Sequence, residues 1–292
     1  MIFTKAERSD TCIKLALTGA SGSGKTYGAL KLARGLVGAK GKIAFIDTEN
    51  GSGKLYYNLT EFFHCDLSAP FEYQKFIDAV KAAEQAGFDC VVIDSLSHLW
   101  QGILDEKSNI DRKGGNQYSN WTVPSIHFNE TIQTILQSPI HVIACLRVKT
   151  EYVIEAEVNS KGKTVSVPKK VGLAPVMRDN IDYEFSTVLE VEIDHQCTTS
   201  KDRTGLFVNK TFQITEQTGE QLAAWLTGNP QPVNQEPTDY GTETADFLQM
   251  IHNAQSKDAL GEIVSKIKAS KLSDSQKAVV RKAYRERSNS LA

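Results

Sequence analysis

A glycine-rich segment near the amino terminus has the residue types and the spacing that bind phosphate. Residues 19–26 read Gly-Ala-Ser-Gly-Ser-Gly-Lys-Thr, which satisfies the pattern Gly-x4-Gly-Lys-Thr of a phosphate-binding loop. Glycines allow backbone N–H groups to turn towards phosphate oxygens, and a helix that follows presents its N-terminal amides to the same anion. We therefore expect a nucleoside triphosphate site formed by Gly19, Ala20, Ser21, Gly22, Ser23, Gly24, Lys25, Thr26 and Tyr27.

Three side chains in and beyond this loop could act on the triphosphate. Lys25 can reach the β- and γ-phosphates as a catalytic cation, and the Thr26 hydroxyl can ligate Mg²⁺. The apolar segment 90–94 ends in Asp94, and a carboxylate at the end of such a strand holds the magnesium shell in phosphate-loop proteins. ATP and Mg²⁺ are therefore the expected cofactors. Because no motif reads the base, the sequence does not distinguish ATP from GTP.

A second segment, Gly51-Ser52-Gly53-Lys54, resembles another phosphate loop. It lacks the first glycine at the required spacing, and Leu55 stands where a serine or threonine would bind the metal. We therefore predict an ordinary loop at these residues.

The elements that must position these residues alternate between strand-like and helix-like patterns in the first half of the chain. Short apolar runs indicate buried strands, and segments with apolar residues at helical spacing separate them. This alternation predicts an α/β fold with a mainly parallel sheet and helices on its faces. The predicted strands cover residues 12–18, 42–47, 90–94 and 141–146, and the predicted helices cover 25–36, 73–86 and 121–137.

The second half of the chain predicts antiparallel strands and one short helix. Thr218-Gly219-Glu220-Gln221 fits a capping box, which opens a helix through Leu226. The predicted strands cover residues 152–158, 163–167 and 185–194, with a hairpin turn at 159–163. One face of the last strand consists of Phe185, Thr187, Leu189, Val191 and Ile193.

A segment rich in Pro, Asn, Gln and Thr divides the chain. We predict a linker at 229–242 between a core at 1–228 and a small helical domain at 243–292. Three short amphipathic helices are expected in that last domain, because apolar residues recur there at helical spacing. Their apolar positions include Phe247, Leu248, Ile251, Leu260, Ile263, Val264, Ile267, Val279, Val280, Ala283 and Tyr284.

The composition indicates a soluble intracellular protein. The 292 residues carry a net charge of −2, so a nucleic-acid site would have to be a local patch. The five cysteines form no CxxC pair and lie mostly in apolar runs, which is typical of reduced thiols in the cytosol. No apolar run reaches the roughly 18 residues of a membrane span, and the first residues lack a signal-peptide core. We therefore expect a cytoplasmic protein with no membrane contact.

Two further segments resemble the RecA/RadA-type recombinase ATPases. Residues 43–49, Ile-Ala-Phe-Ile-Asp-Thr-Glu, resemble the second core strand of that family, where a glutamate at the strand's end activates the hydrolytic water. The matching residue is Glu49, for which an ordinary acidic loop residue is the alternative. Residues 92–95, Val-Ile-Asp-Ser, resemble the metal-binding strand of the family. The resemblance implies ATP hydrolysis with Glu49 as a catalytic residue beside Lys25.

A third catalytic candidate, Arg147, departs from the family pattern. It follows the predicted strand 141–146, at a point where the family usually has a glutamine that senses the γ-phosphate. An arginine there could act as a sensor or stabilise developing charge. A solvated charge at a strand end is the alternative.

The resemblance spans about residues 10–228 and is nearest to the reduced RecA-like ATPases of bacteriophages, which include single-strand annealing proteins of the Sak type. The segment 169–173, Lys-Lys-Val-Gly-Leu, is similar to that group together with Arg178-Asp179 and Tyr183-Glu184-Phe185. A basic hairpin at the edge of the sheet is the alternative. The resemblance implies a RecA-like P-loop NTPase core with an antiparallel extension. It further implies recombination or strand annealing on single-stranded DNA, in the cytoplasm of a bacterium or a phage-infected host.

RecA-like proteins bind single-stranded DNA through two loops, and two segments match them. Cations in such loops can follow phosphates while aromatic rings stack on bases. A mobile surface loop is the alternative for either segment. The candidate DNA contacts are Arg112, Lys113 and Tyr118 in the first segment and Lys161, Lys163, Lys169 and Lys170 in the second.

The sequence also suggests partners. Phe3-Thr4-Lys5-Ala6 resembles the Phe-x-x-Ala segment with which some recombinases dock onto a neighbouring subunit, although an ordinary N-terminal strand also accounts for it. We expect a homo-oligomer, and a single-strand-binding protein or another recombination factor as a further partner. The last residues from Lys266 onward are basic, which could add DNA affinity or represent solvated helix faces.

Two other functional classes remain compatible with the phosphate loop. One is a P-loop kinase for a nucleotide or small molecule, although the chain has no compact arginine-rich lid. The other is a nucleotide-gated loader or switch that hardly turns over. The sequence does not decide between a ring, a filament and a monomer, nor between annealing, strand exchange and an accessory role.

Overall fold

The computed structural model describes residues 11–158, 164–228 and 242–254, together with Arg8 and scattered positions between 260 and 287. Between residues 150 and 173 it describes the backbone alone. The chain forms two compact units, Met1–Pro232 and Val233–Ala292. The predicted linker lies largely outside the described residues, so the domain boundaries drawn from the sequence stay a prediction.

The described part of the first unit contains a sheet of eight strands. Neighbouring strands lie in the order β3-β2-β4-β5-β1-β7-β8, and β6 pairs with β5 beside this path. The strands that run parallel to one another are β3, β2, β4, β5, β1 and β7. Strand β8 is antiparallel to β7, and strand β6 is antiparallel to β5. The prediction of a mainly parallel sheet with an antiparallel extension is confirmed. The strands are β1 (Lys14–Gly19), β2 (Ile43–Asp47), β3 (Phe63–Asp66), β4 (Cys90–Asp94), β5 (His141–Val158), β6 (Thr164–Pro175), β7 (Thr187–Val191) and β8 (Cys197–Asp202).

Helices cover both faces of this sheet. One buried cluster joins the sheet to α2, α3 and α4 through Phe76, Leu99 and Ile132, and the other joins it to α1 and α5 through Leu30 and Leu222. Strands β1, β2 and β4 are buried along their whole length, because both of their faces are covered. The helices are α1 (Lys25–Val37), α2 (Tyr73–Gln85), α3 (Ser97–Arg112), α4 (Thr122–Gln137), α5 (Glu216–Leu226) and α6 (Thr242–Asn253).

Helices α1 and α5 cross at two glycines. A Cβ on Gly35 would lie 1.8 Å from the carbonyl oxygen of Glu216, and a Cβ on Gly219 would lie 2.2 Å from that of Leu32. Only glycine permits this approach of the two backbones. The crossing fixes α1, and therefore the phosphate loop at its start.

The predicted break between strands at 141–146 and 152–158 is wrong. Strand β5 runs without interruption to Val158, because a new partner takes over where a parallel partner ends. Its register with β1 ends at Arg147, and its register with β6 begins at Val148. The predicted turn at 159–163 lies outside the described residues.

Other differences from the predicted elements arise where burial is slight. The predicted strand 185–194 shortens to β7, and Ile193 lies on the turn that follows it, 73% exposed rather than on the buried face. Helix α3 was not predicted, because few of its residues are buried, and the short edge strand β3 is mostly exposed. Strand β8 was also not predicted.

The predicted capping box is displaced by one turn. Helix α5 begins at Glu216, so Thr215 is the N-cap and Thr218 lies at the third helical position. The backbone N–H of Thr215 donates to the Thr218 hydroxyl at 3.1 Å, which is the reciprocal bond of a capping box with threonine in place of glutamate.

The second unit has a small apolar cluster of its own. Residues Phe247 and Ile251 of α6 are buried in it, as are Leu260, Ile263, Ile267 and Val280. These residues are among the apolar positions predicted for the C-terminal helices. In the part of the chain that the structure describes, no helix is long and apolar enough to cross a membrane.

Candidate functional site

The phosphate loop connects the end of β1 at Gly19 to the start of α1 at Lys25. Gly22 and Gly24 have φ angles of 80° and 92°, a left-handed conformation that glycine adopts without strain. Gly19 is required for another reason, since a Cβ there would lie 2.5 Å from the carbonyl oxygen of Val191 on β7. The loop is therefore shaped by backbone freedom at two glycines and by a close approach to β7 at the third.

Lys25 folds back over the loop. Its Nζ donates hydrogen bonds to the carbonyl oxygens of Gly19 at 2.9 Å and Ala20 at 2.8 Å, and the side chain is buried. Gly19 and Ala20 therefore hold the lysine, and their predicted contact with nucleotide stays a prediction. The ammonium group can exchange these carbonyls for phosphate oxygens without leaving the loop.

Thr26 and Asp94 meet beneath the loop. The Thr26 hydroxyl donates to Asp94 Oδ2 at 2.6 Å, and the Asp94 side chain is buried at the end of β4. Burial raises the pKa of Asp94 to about 6, while the hydrogen bond from Thr26 opposes the shift. The nearby Glu49 and Asp47 carboxylates raise this pKa further, and Lys25 lowers it. The site thus concentrates negative charge that a cation would relieve.

These groups fit Mg²⁺. A hydroxyl and a carboxylate are hard oxygen donors, and Mg²⁺ in nucleotide sites usually takes only one or two protein ligands beside water and phosphate oxygens. The described ranges contain no group of three His, Cys, Asp or Glu side chains that could hold a metal without such help. Thr26 and Asp94 would therefore hold Mg²⁺ together with the phosphates of a nucleotide.

The pKa of Asp94 predicts an unusual pH dependence for Asp94→Asn. The carboxyl has a pKa of about 6 in the folded protein and an ordinary value of 3.8 when unfolded. The unfolded state loses its proton first, so the stability of the wild-type protein falls as pH rises from about 4 to about 6 and then stays constant. Below about 4 both states are protonated and the group costs nothing. At about 1.4 kcal/mol per pKa unit, the variant should be more stable than wild type by roughly 3 kcal/mol at pH 8 and by about 1 kcal/mol at pH 4.5. Urea unfolding of the ligand-free protein at the two pH values measures this difference, and equal effects at both would contradict the explanation by burial.

Glu49 forms an ion pair with Arg147 above the same site. Its Oε1 lies 2.8 Å from Arg147 Nη2 and 2.9 Å from Arg147 Nε. Arg147 stands within β5, opposite Gly19 in the register, rather than at a strand end as the sequence suggested. Its role as a sensor of the γ-phosphate stays a prediction, since its guanidinium pairs with the candidate base while its side chain is 46% exposed to solvent.

A hydrogen-bond network ties together the strand ends that carry these residues. The Thr48 hydroxyl accepts from the backbone N–H of Ser95 at 2.7 Å and lies 2.6 Å from His98 Nδ1. The Ser97 hydroxyl accepts from the backbone N–H of Arg147 at 2.9 Å. Burial and the charge of Arg147 lower the pKa of His98, which favours the neutral ring. The ends of β2, β4 and β5 are therefore held in one fixed arrangement.

The loop opens into a cavity of about 730 Å³. This volume lies in the range of small-molecule sites. The cavity brings together the predicted Lys25, Thr26, Tyr27, Glu49, Asp94 and Arg147. It also contains residues that the sequence did not single out, namely Tyr56, Val148, Val191, His195, Gln213 and Ile214.

His195 is one of these unpredicted residues, and it contacts the phosphate loop. It lies on the turn between β7 and β8 with a φ of 66°, and its Nδ1 donates to the carbonyl oxygen of Ser23 at 3.0 Å. A Cβ on Gly24 would lie 3.1 Å from this nitrogen. The residue is far from the loop in sequence, and no local motif marks it.

The candidate DNA residues of the first segment, Arg112, Lys113 and Tyr118, do not line this cavity. Every residue from Arg112 to Ser119 is exposed, including Lys113, and Tyr118 is 89% exposed. Arg112 is the last residue of α3, and residues 113–118 form neither helix nor strand before a short 3-10 helix at Ser119–Trp121. In the second candidate segment, Lys169 and Lys170 are on β6, opposite Val153 and Tyr152. Lys161 and Lys163 lie outside the described residues, as does the segment Phe3–Ala6.

Comparison with known proteins identifies the family. A family model described as an AAA domain matches residues 11–223, which include all eight strands, the phosphate loop and the cavity. A comparison with curated proteins gives no match. The matched region covers most of the chain, and its phosphate loop, Thr26–Asp94 pair and parallel sheet have the arrangement expected of a nucleotide-binding ATPase. The chain therefore belongs to the AAA-domain family of P-loop ATPases.

Proposed function

We propose that this protein hydrolyses ATP with Mg²⁺ and couples the cycle to single-stranded DNA, in recombination or strand annealing of the RecA-like phage type. The main support for ATP hydrolysis is the 2.6 Å hydrogen bond from Thr26 to Asp94, together with Glu49, which lines the same cavity. These side chains offer two oxygen ligands for Mg²⁺ and a second carboxylate that can accept a proton.

The loop and Lys25 supply the anion site for the triphosphate. The backbone N–H groups of the loop and the N-terminus of α1 attract phosphate oxygens, and Lys25 can replace its carbonyl partners with them. Thr26 and Asp94 would hold Mg²⁺, and the bound ion would supply positive charge to neutralise the phosphate oxygens. Tyr27, Gln213 and Ile214 line the remainder of the cavity and would contact the nucleoside.

Glu49 is the proposed base. It accepts a proton from the water that attacks the γ-phosphorus, the bond to the β-phosphate oxygen breaks, and ADP and inorganic phosphate leave. Both contacts with Arg147 involve Glu49 Oε1, so release of this ion pair would free the whole carboxylate for the step. The freed guanidinium can then stabilise charge on the transferred phosphoryl group.

The same ion pair supports a second candidate, a nucleotide-gated switch with very slow turnover. While Arg147 holds Glu49, ATP hydrolysis would be slow until a bound ligand separates the two side chains. Arg147 directly precedes Val148, where the pairing of β5 with β6 begins, so the exchange would take place beside the start of this antiparallel pair. Turnover with and without DNA distinguishes a switch of this kind from a constitutive ATPase.

The exposed segment 112–119 supports the DNA-binding part of the proposal. Two adjacent cations, Arg112 and Lys113, precede the exposed ring of Tyr118, a combination suited to phosphates and to base stacking. Helix α3 connects this segment to the strand that ends in Asp94, and begins three residues after it. The connection gives a route by which nucleotide and DNA could affect each other.

Binding to single-stranded DNA should be salt-sensitive and should depend on these two cations. We expect fluorescence anisotropy with a labelled oligonucleotide to show weaker binding for R112A/K113A and a slope of log affinity against log salt smaller by about 1.4, since each phosphate contact contributes about 0.7. The ATPase rate should rise with DNA in wild type and less in the variant. K40A/K81A removes two exposed lysines elsewhere and serves as the matched control. If wild type shows no binding at low salt with or without ATP, the DNA-binding part of the proposal fails.

A further inference from the structure

Asp47 is a buried carboxylate to which the hydrolysis described above assigns no task. It is the last residue of β2, its side chain is 0% exposed, and it stands opposite Asp94 in the register of β2 with β4. Burying a carboxylate beside a second one is costly unless hydrogen bonds compensate. The donors around Asp47 therefore indicate what it holds.

Three donors converge on this carboxylate from two directions. The backbone N–H of Glu49 donates to Oδ1 at 2.6 Å, and the backbone N–H of Gly53 donates to Oδ2 at 2.8 Å. His64 on β3 contributes its Nε2 at 3.0 Å from Oδ2, and this nitrogen carries the proton because a carboxylate only accepts. Asp47 thus holds the candidate base from one oxygen and the neighbouring turn from the other.

We infer that Asp47 is a positioning residue for hydrolysis, which fixes the backbone of Glu49 and the turn at residues 51–56. The inference rests on the proposed role of Glu49 as the base. A base must lie within hydrogen-bond reach of the attacking water, so a fixed amide one bond from its Cα limits where the carboxylate can go. The turn carries Tyr56, which lines the same cavity, so one carboxylate holds two of its walls.

This role accounts for the second Gly-Ser-Gly-Lys segment. Residues 52–56 form a short 3-10 helix, and a Cβ on Gly53 would lie 2.5 Å from the ring of Phe45 and 3.0 Å from Asp47 Oδ2. Glycine is therefore needed so that the backbone N–H can reach the carboxylate. Lys54 points elsewhere and pairs with Asp66 at 2.7 Å, with both side chains about half exposed. The segment thus supports the base, and Lys54 lies outside the cavity.

Asparagine cannot reproduce this arrangement at position 47. The amide has one acceptor oxygen, and its NH₂ group would face a donor at the other position. Either the N–H of Glu49 or the pair formed by Gly53 and His64 would lose its acceptor. Asp47→Asn therefore tests the positioning role with almost no change in side-chain volume.

The decisive experiment is a double-mutant cycle of D47N and E49Q, with kcat measured by phosphate release and nucleotide affinity by equilibrium titration. We expect D47N to lower kcat by about 10- to 100-fold, as small displacements of catalytic groups do, with affinity changed by less than about threefold. In the E49Q protein, D47N should lower the residual rate no further. D78N, which changes an exposed aspartate on α2 outside the cavity, is the matched control and should behave as wild type.

The outcomes separate the inference from the proposed function. If E49Q leaves hydrolysis unchanged, the role of Glu49 fails. If E49Q strongly lowers hydrolysis while D47N keeps the wild-type kcat, the positioning role alone is overturned. The same holds if D47N lowers the rate by an equal factor in the wild-type and E49Q backgrounds. Should D47N not fold, as judged by circular dichroism, His64→Gln weakens the same network from the opposite side. It should then lower kcat without loss of affinity, and an unchanged kcat would overturn the inference.

Discussion

Replacing Lys25 with Ala removes ATP hydrolysis and weakens nucleotide binding. The ammonium group is buried against the loop, where the carbonyl oxygens of Gly19 and Ala20 accept hydrogen bonds from it. A hydrogen bond from a charged donor contributes about 1.5–3 kcal/mol, so we expect affinity to fall by about 10- to 100-fold. Loss of a cation that stabilises transition-state charge should lower kcat by a further 10²- to 10³-fold, roughly. Phosphate release at saturating ATP and titration with a fluorescent nucleotide measure the two effects.

The chain contains its own control for this experiment. Lys54 ends a tetrapeptide identical to that of the phosphate loop, yet it pairs with Asp66 at the surface. Lys54→Ala should retain wild-type affinity and turnover, because exposed ion pairs contribute about 0–1 kcal/mol to stability and this one lies outside the cavity. Retained hydrolysis in the Lys25 variant, or its loss in the Lys54 variant, would show that the nucleotide site has been assigned to the wrong loop.

The contrast between these two tetrapeptides shows why the phosphate loop was predictable. A buried strand precedes the first copy and a helix follows it, and both are apparent from local patterns. The second copy follows a buried strand but leads into a 3-10 helix, and its Gly53 is needed to reach Asp47. The position of Asp94 was equally accessible, because an apolar run that ends in a carboxylate is also a local pattern.

The rest of the site depends on contacts between residues distant in sequence. Arg147 faces Glu49 only because β5 lies next to β1 and continues past its end, and the strand was predicted to stop before it. His195 reaches Ser23 from a turn more than 170 residues away. The role of Asp47 could not be inferred without the partners that the fold supplies from β3 and the following turn. Such contacts leave no periodic signal along the chain.

Glu49→Gln removes hydrolysis while nucleotide binding persists. Glutamine keeps the size of the side chain but cannot take a proton from water, and general bases contribute about 10²–10⁴ to rate. Removing a negative charge beside Asp94 and the triphosphate should leave affinity unchanged or raise it. The neutral side chain also weakens the contact with Arg147, so the guanidinium is more available to the γ-phosphate. Single-turnover hydrolysis and equilibrium titration of ATP test both halves of the prediction.

Glu216→Gln provides the matched control, because Glu216 also forms an ion pair with a cation, Lys31, at 2.7 Å but outside the cavity. The Glu216→Gln variant should hydrolyse ATP at the wild-type rate, since losing one partly exposed ion pair costs about 0–1 kcal/mol of stability. If Glu49→Gln hydrolyses ATP at the wild-type rate, another group takes the proton and the pair with Arg147 is structural. If wild type itself turns over as slowly as the variant and DNA does not raise its rate, the nucleotide acts as a switch. Glu49 would then serve as the contact that Arg147 exchanges when nucleotide binds.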